Sequence, residues 1–349
     1  MSQAKNIFQI EFDNFLKLYE PYQAQYFAKK KSTKGKLKAA ALFWADLEQF
    51  MQGGKKLRGF LTYLGYLASG GEDISKILPV SLAYEIVHSF LLMHDDVIDR
   101  SDIRRGKASI HKKYSRVHGN HFGESIAIVW GDIAAFEAMS LVCDADFDDK
   151  TKLRAIKSFV ETIISTGLGE GIDVLISQTE AKEADICEVN ILKTAKYSVS
   201  GPLVIGAILA RAKADQLKAM EKFGLAAGEA FQIQDDLLGV FGKEEVVGKS
   251  VLSDMREGKS TLLMLKTRNL AKGLDKKIVS KVWGNSKATL SDLEKIRQIV
   301  KRSGAYDLVI SAMDNLGNKA LNALKSAKLN ERNSAIFSQM AEFFVSRNF

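Results

Sequence analysis

The chain of 349 residues is 46% hydrophobic, 26% charged and 9% aromatic, with a formal net charge of +8. That balance excludes disordered, collagen-like and disulfide-stapled miniature proteins, and the length is ample for a sizeable core. The positive surplus fits nucleic acid, an anionic membrane surface or phosphorylated substrates, and charge alone does not choose among them.

Only Pro21, Pro79 and Pro202 interrupt the chain and no segment alternates with period two, so the expected class is all-α. Cys143 and Cys187 lack metal-ligand spacing and read as buried thiols of a reducing compartment. The N-terminus lacks the pattern of a signal peptide, and the longest uninterrupted apolar stretch, near Leu203 to Ala210, is short of the roughly 18 residues of a membrane span. A cytoplasmic protein with no stable membrane insertion is expected.

In chain order, helical spacing aligns Phe8, Phe12, Phe15 and Tyr19 on one stripe and Phe43, Leu47, Phe50 and Met51 on another. Between them Lys29, Lys30, Lys31, Lys34, Lys36 and Lys38 read as a solvated loop or helix end, with contact to a membrane surface or anionic ligand as the alternative. The pairs Gly53-Gly54 and Gly70-Gly71 punctuate the next helices, and Pro79 is expected in the first turn of a long apolar helix running to Asp99. Later helices are predicted over 121–143, 150–179, 183–211, 215–241 and 260–272, then three more, with Ser291 and Glu294 as a capping box. No linker or fixed-period repeat appears, so one domain over 1–349 is the simpler reading.

Two acidic groups end strongly apolar helices: Asp95, Asp96 and Asp99 in FLLMHDDVIDR, and Asp235 and Asp236 in FQIQDDLLGVFG. Residues four apart share a helix face, so Asp95 and Asp99 converge on one point, a geometry that suits a divalent cation. Magnesium takes one or two protein carboxylates and completes its shell with water and phosphate oxygens. Alone, DDxxD is a weak motif, because helix ends are commonly acidic and wet. Its surroundings strengthen it: Arg104-Arg105-Gly106 follow the first group, Gly53-Gly54-Lys55-Lys56-Leu57-Arg58 opens a helix, and Lys249 and Lys259 follow the second. Cations paired repeatedly with acidic doublets are what a metal-bridged diphosphate site requires, although Arg104 and Arg105 could simply salt-bridge the aspartates.

Other patterns carry no chemistry. Asp144, Asp146, Asp148 and Asp149 resemble a calcium loop, but Asp149 replaces its glycine and Ala155 its closing glutamate, which leaves a loop and a helix start. Gly167, Gly169 and Gly171 follow no strand, so a nucleotide fingerprint is excluded, and the five histidines show no zinc spacing.

The ordered segments GGKKLRG, EIVHSFLLMHDDVIDRSDIRRG, GDIAAFEA, ILKTA, FQIQDDLLGVFG and GKSVLSDMREGKSTLL together resemble the trans-isoprenyl diphosphate synthases, the head-to-tail prenyltransferases. The resemblance covers most of the chain. It implies a bundle of long antiparallel helices around a deep central cavity, a homodimer, and three magnesium ions between the two aspartate motifs. The implied partners are isopentenyl diphosphate and allylic diphosphates, with no nucleic acid.

Residue by residue, Lys55, Arg58, His88 and Arg105 match positions that bind isopentenyl diphosphate. Asp95 and Asp99, supported by Asp96, match magnesium ligands, as does Asp235. Arg104, Lys193, Lys249 and Lys259 match groups on the allylic diphosphate, Thr194 and Gln232 match polar residues beside the developing cation, and Asp173 matches a further allylic-site position. Gly239 stands where many members have a third aspartate, and Glu170 where glutamine is frequent. The implied reaction is metal-assisted ionisation of the allylic diphosphate and attack by the isopentenyl double bond, with the released diphosphate taking the proton.

Phe90, five residues before Asp95, lies about 7.5 Å below the metal end at helical rise, where the resemblance implies a floor for the growing product. Leu91 follows where farnesyl enzymes often have a second aromatic, which favours geranylgeranyl diphosphate as product. The alternatives are a farnesyl or longer-chain synthase, a class I terpene cyclase, and a non-catalytic partner subunit. A cyclase should carry an NDxxSxxxE-like motif that QDDLLG does not match, and a partner subunit should have lost acidic or basic residues that are intact here.

Overall fold

The computed structural model describes residues 6–34, 37–176, 181–242 and 250–345. The described chain is all-α as expected, apart from a hairpin of two-residue strands, β1 (Ile103–Arg104) and β2 (Lys107–Ala108), paired antiparallel with Ile103 opposite Ala108. Its contacts divide into two compact units, Met1–Phe159 with Pro202–Leu217, and Val160–Gly201 with Lys218–Phe349.

The first unit opens with α1 (Ile7–Lys34), α2 (Lys38–Met51), α3 (Leu57–Ala68) and α4 (Ile74–Ile98). Along α1, Phe8, Phe15 and Tyr19 are buried as the stripe requires, and Phe60 of α3 meets Phe12 and Phe15 edge-on at 5.0 and 5.7 Å. Each such ring contributes about 2 kcal/mol on leaving water. Along α2, Phe43, Leu47 and Met51 are buried, joined by the Asp46 carboxylate, which accepts from Lys113, from the Tyr114 hydroxyl at 2.6 Å and from Trp130 Nε1 at 3.0 Å. Asp46 thereby ties α2 to α5 (Ile110–His118) and α6 (Asn120–Cys143). The basic run opens on the helix-end reading: the last turns of α1 carry it, Lys30 pairs with Glu137 over the Tyr26 and Trp44 rings, and Lys31 pairs with Glu48 at 2.7 Å.

α4 is capped by Asp73, which accepts from the Ser75 amide at 3.1 Å and the Ser75 hydroxyl at 2.6 Å. Pro79 falls in its second turn, not the first as expected, because the helix begins at Ile74. The helix is buried on nearly every side and packs chiefly on α3 and α6. By length and composition α4 and α6 could each cross a membrane, which a search for uninterrupted apolar runs misses; α4 is mostly buried within the protein, whereas α6 leaves an apolar face exposed. Cys143, the last residue of α6, is exposed and Cys187 half-buried, so the expectation of two buried thiols fails at a helix terminus.

α7 (Asp149–Ile176) begins after Asp148, which accepts from the Thr151 amide at 3.1 Å and pairs with Arg211 at 2.8 Å, confirming the acidic cluster as a helix start. The predicted helix over 183–211 is three segments: α8 (Glu183–Val189), a π-helix over Asn190–Ser200 and α9 (Gly201–Leu209). In the second unit, α10 (Ala214–Phe241) buries Phe223 against Phe337 and Phe231 against Phe344, at ring separations of 5.1 and 5.3 Å. A short α11 (Ser253–Glu257) and α12 (Leu262–Leu270) follow, then α13 (Gly273–Val282), α14 (Leu290–Arg302), α15 (Ala305–Leu324) and α16 (Glu331–Val345). Among the described residues four helices thus follow α12 where three were expected. The capping box of α14 is Thr289 with Asp292, not Ser291 with Glu294, since the helix starts two residues earlier.

Candidate active site

In the first unit, the C-terminal end of α4 presents Asp95 and Asp99 half-buried and Asp96 buried. The β1–β2 hairpin returns Arg104 onto them: Nε donates to Asp96 Oδ1 at 2.8 Å, and Nη2 reaches Asp95 Oδ2 at 3.2 Å and also Asp96. Burial drives the Asp96 carboxyl up to about 6 against the opposing pull of Arg104. Salt-bridging of the aspartates by arginine, the plainer sequence reading, is therefore realised for Arg104.

A cationic set stands beside this end of α4. Arg105, at the positive-φ tip of the hairpin, donates from Nη1 to the Phe50 carbonyl at 2.8 Å, and its guanidinium lies 3.0 Å from where a Cβ on Gly54 would be. Gly54 is the residue that lets the guanidinium approach. Lys56 caps α3 in the left-handed region and buries its ammonium on the Met51 carbonyl, while Lys55 is exposed and Arg58 half-buried. The Gly59 amide donates to the buried Glu85 carboxylate at 2.9 Å. Burial, then the charges of Arg58, Arg105, Arg104 and Lys56, hold His88 well below the usual histidine range, so it faces this set as a neutral imidazole. The anchoring roles of Lys56 and Glu85 escaped sequence reading, because Lys56 reads there only as one more cation of the cluster and Glu85 lies where no ligand-binding pattern singles it out.

In the second unit the π-helix carries Lys193 and Thr194. Its wider backbone packs against two glycines: a Cβ at Gly169 would lie 2.4 Å from the Lys193 amide nitrogen, and one at Gly228 would lie 2.6 Å from Ala195 Cα. Lys193 pairs with Asp173 at 2.7 Å and Glu170 at 3.0 Å. Thr194 donates to Gln232 at 2.6 Å, and Gln232 and Lys259 both donate to Asp236 Oδ1, at 2.9 and 3.0 Å. Asp173, Lys193, Thr194, Gln232, Asp236 and Lys259, with Asn190 and Ser260, line a small cleft. Burial acts to lower the Lys259 ammonium, but Asp236, Asp254 and Asp173 carry it well above the ordinary lysine value. Burial raises Asp236 in turn.

The second unit thus brings together Asp173, Lys193, Thr194, Gln232 and Lys259, with Asp236 as the carboxylate that Gln232 and Lys259 share; Asp235, the expected metal ligand, is half-buried beside it. Lys249 lies outside the described residues. Phe90 and Leu91 are half-buried on α4, with the Phe90 ring edge-on to His94 at 5.0 Å. Among the described residues no three His, Cys, Asp or Glu side chains converge as a cage. Sparse carboxylates backed by lysine and arginine are a donor set that fits magnesium, which retains waters and phosphate oxygens, and does not fit a structural zinc site.

An all-α chain whose acidic doublets are each wrapped in cations has the build of a metal-dependent diphosphate enzyme. The family profile described as polyprenyl synthetase matches residues 43–300. The geranylgeranyl diphosphate synthase of Sulfolobus acidocaldarius is 33% identical over 312 residues, covering 88% of this chain and 91% of that protein. The geranylfarnesyl diphosphate synthase of Aeropyrum pernix is 34% identical over 268 residues, covering 75% and 80%. Among solved structures, geranylgeranyl pyrophosphate synthase from Corynebacterium glutamicum, complexed with isoprenyl diphosphate and magnesium, superposes with a TM-score of 0.89 at 25% identity, covering 97% of this chain and 99% of that one. The chain belongs to the polyprenyl synthetase family, and so to the trans-prenyltransferases.

Proposed function

We propose that the protein is a short-chain prenyltransferase that condenses isopentenyl diphosphate with allylic diphosphates, with geranylgeranyl diphosphate as product. The observation that carries this reading is the cleft in which Lys193 and Lys259 are held among Asp173, Glu170 and Asp236 beside the Thr194–Gln232 pair. Two fixed ammonium groups there meet a diphosphate, and the hydroxyl and amide dipoles offer oxygens to positive charge developing on the allyl group. Arg58, Arg105, Lys55 and neutral His88 receive the diphosphate of isopentenyl diphosphate, where His88 donates a hydrogen bond without adding charge. Arg104, Lys193, Lys249 and Lys259 receive the allylic diphosphate. Asp95, Asp99 and Asp235 would hold magnesium, three ions in this reading, which would supply positive charge to the departing diphosphate. No side chain is needed as nucleophile or base, since the released diphosphate takes the proton.

The C20 product is supported by Leu91 following Phe90 and by relatives named geranylgeranyl diphosphate synthases. A longer product is the second reading, favoured by the likeness to the Aeropyrum geranylfarnesyl enzyme. A homodimer is supported by the exposed stripe Phe122, Val129, Ile133 and Phe136 on α6, spaced 7, 4 and 3 residues apart on one helix face. Location in the cytoplasm is supported by two thiols in no disulfide.

The test is incubation with labelled isopentenyl diphosphate and each allylic primer, followed by chromatography of the dephosphorylated alcohols. Magnesium-dependent diphosphate release only when both substrates are present, with a C20 alcohol as main product, is expected. Release from an allylic diphosphate alone would identify a cyclase and overturn the proposal.

A further inference from the structure

The loop between α13 and α14 grips the turn that presents Lys259. Trp283 Nε1 donates to the Lys259 carbonyl at 3.1 Å, and the Gly284 amide donates to the Met255 carbonyl at 2.8 Å. From the other side, Arg256 donates through Nε and Nη2 to the Ala288 carbonyl at 3.0 and 2.8 Å. The backbones nearly touch: Gly258 has φ +75°, and a Cβ built there would lie 2.9 Å from Gly284 Cα. Trp283 itself is only 5% exposed and packs in the core of this unit. A buried indole N–H needs an acceptor, and here that acceptor is the main chain of the lysine whose ammonium meets Asp236.

We propose that Trp283 is a positioning residue for diphosphate binding, fixing the Lys259 backbone so that its ammonium stays in the cleft with Asp236. This rests on the prenyltransferase reading. Lys259 has a long, flexible stem, and its ammonium gains most from a diphosphate when the residue's main chain does not have to be ordered on binding. The clasp performs that ordering in advance. Trp283 touches neither reacting group and acts only through Lys259.

The test is calorimetric titration of the full-length protein with inorganic diphosphate in the presence of magnesium. Trp283→Phe keeps an aromatic ring in the core and removes the donor; about fivefold weaker binding is expected, the size of one lost hydrogen bond. Its KM for the allylic substrate should rise while that for isopentenyl diphosphate holds. On a Lys259→Ala background, Trp283→Phe should add no further loss, because the two changes act through one group. Equal losses on both backgrounds, or wild-type affinity in folded Trp283→Phe, would overturn the proposal. If that variant does not fold, hydrogen exchange of residues 279–288 decides: diphosphate should slow it in the wild type and not in Lys259→Ala, and the same protection in both overturns the proposal. Wild-type protein that binds no diphosphate overturns the prenyltransferase reading itself, and this inference with it.

Discussion

Oδ2 of Asp254 occupies the space in front of Gly239, where a Cβ would lie only 2.2 Å from it. Asp254 is buried, and its charge raises both Asp236 and Lys259. The glycine that departs from the family's second aspartate motif therefore has a local cause, since a carboxylate from α11 already stands there. Gly239→Ala must displace that carboxylate from a tight polar site, so it is expected to cost about 1–3 kcal/mol, as overpacking does. Thermal denaturation should show the loss; an unchanged melting temperature would mean that Asp254 moves aside freely.

Removing a metal-site carboxylate should separate activity from folding. Asp95, in the last turn of α4, and Asp235, six residues before the end of α10, are each half-buried rather than fully enclosed in the apolar core. Asp95→Ala and Asp235→Ala are expected to lower turnover by about 100-fold or more while stability stays within about 1 kcal/mol. Near-normal rates in either purified variant at ordinary magnesium would sink the assignment.

Lys55 and Arg58 should behave differently. They stand at the start of α3, one exposed and one half-buried, and on the proposed function each gives positive charge to the diphosphate of isopentenyl diphosphate. Lys55→Ala and Arg58→Ala are expected to raise KM for isopentenyl diphosphate more than they lower kcat. An unchanged Michaelis constant for that substrate speaks against their role.

His88 makes stability depend on pH. Because burial and four neighbouring cations depress its folded pKa, the unfolded chain takes up a proton below the ordinary value near 6.5 while the folded protein resists it. Its contribution is flat above about pH 6.5 and turns against folding as pH falls below it. Denaturant unfolding at pH 7 and pH 5 should therefore show a smaller loss for His88→Gln than for the wild type. Equal losses would place His88 in a less hostile environment.

Product length should respond to α4. The Phe90 ring stands edge-on to His94, the residue before Asp95. Phe90→Ala is expected to lengthen the product and Leu91→Phe to shorten it toward C15, read by chromatography of the alcohols. An active Phe90→Ala enzyme whose longest product is unchanged would remove Phe90 as the floor.

The sequence by itself determined the class of fold and the chemical inventory. Few prolines and stripes such as Phe8, Phe15 and Tyr19 are local properties, and helical periodicity reads them directly. The acidic doublets and the lysines and arginines near them were likewise legible, because spacing along one helix fixes which carboxylates share a face. Tertiary structure decided which partner each charge takes. Arg104 folds back on Asp95 and Asp96 through a hairpin too short for any period to announce, and Asp236 rather than Asp235 collects Gln232 and Lys259. The π-helix under Lys193 was invisible as well, since one hydrogen-bond register differs from the next only through packing against Gly169 and Gly228. Trp283 lies outside every motif and meets Lys259 only because α13 ends against that turn. Periodicity is a property of neighbours in the chain, whereas all of these contacts but Gln232–Asp236 join residues 8 to 33 positions apart, and only the packed fold sets their distance and burial.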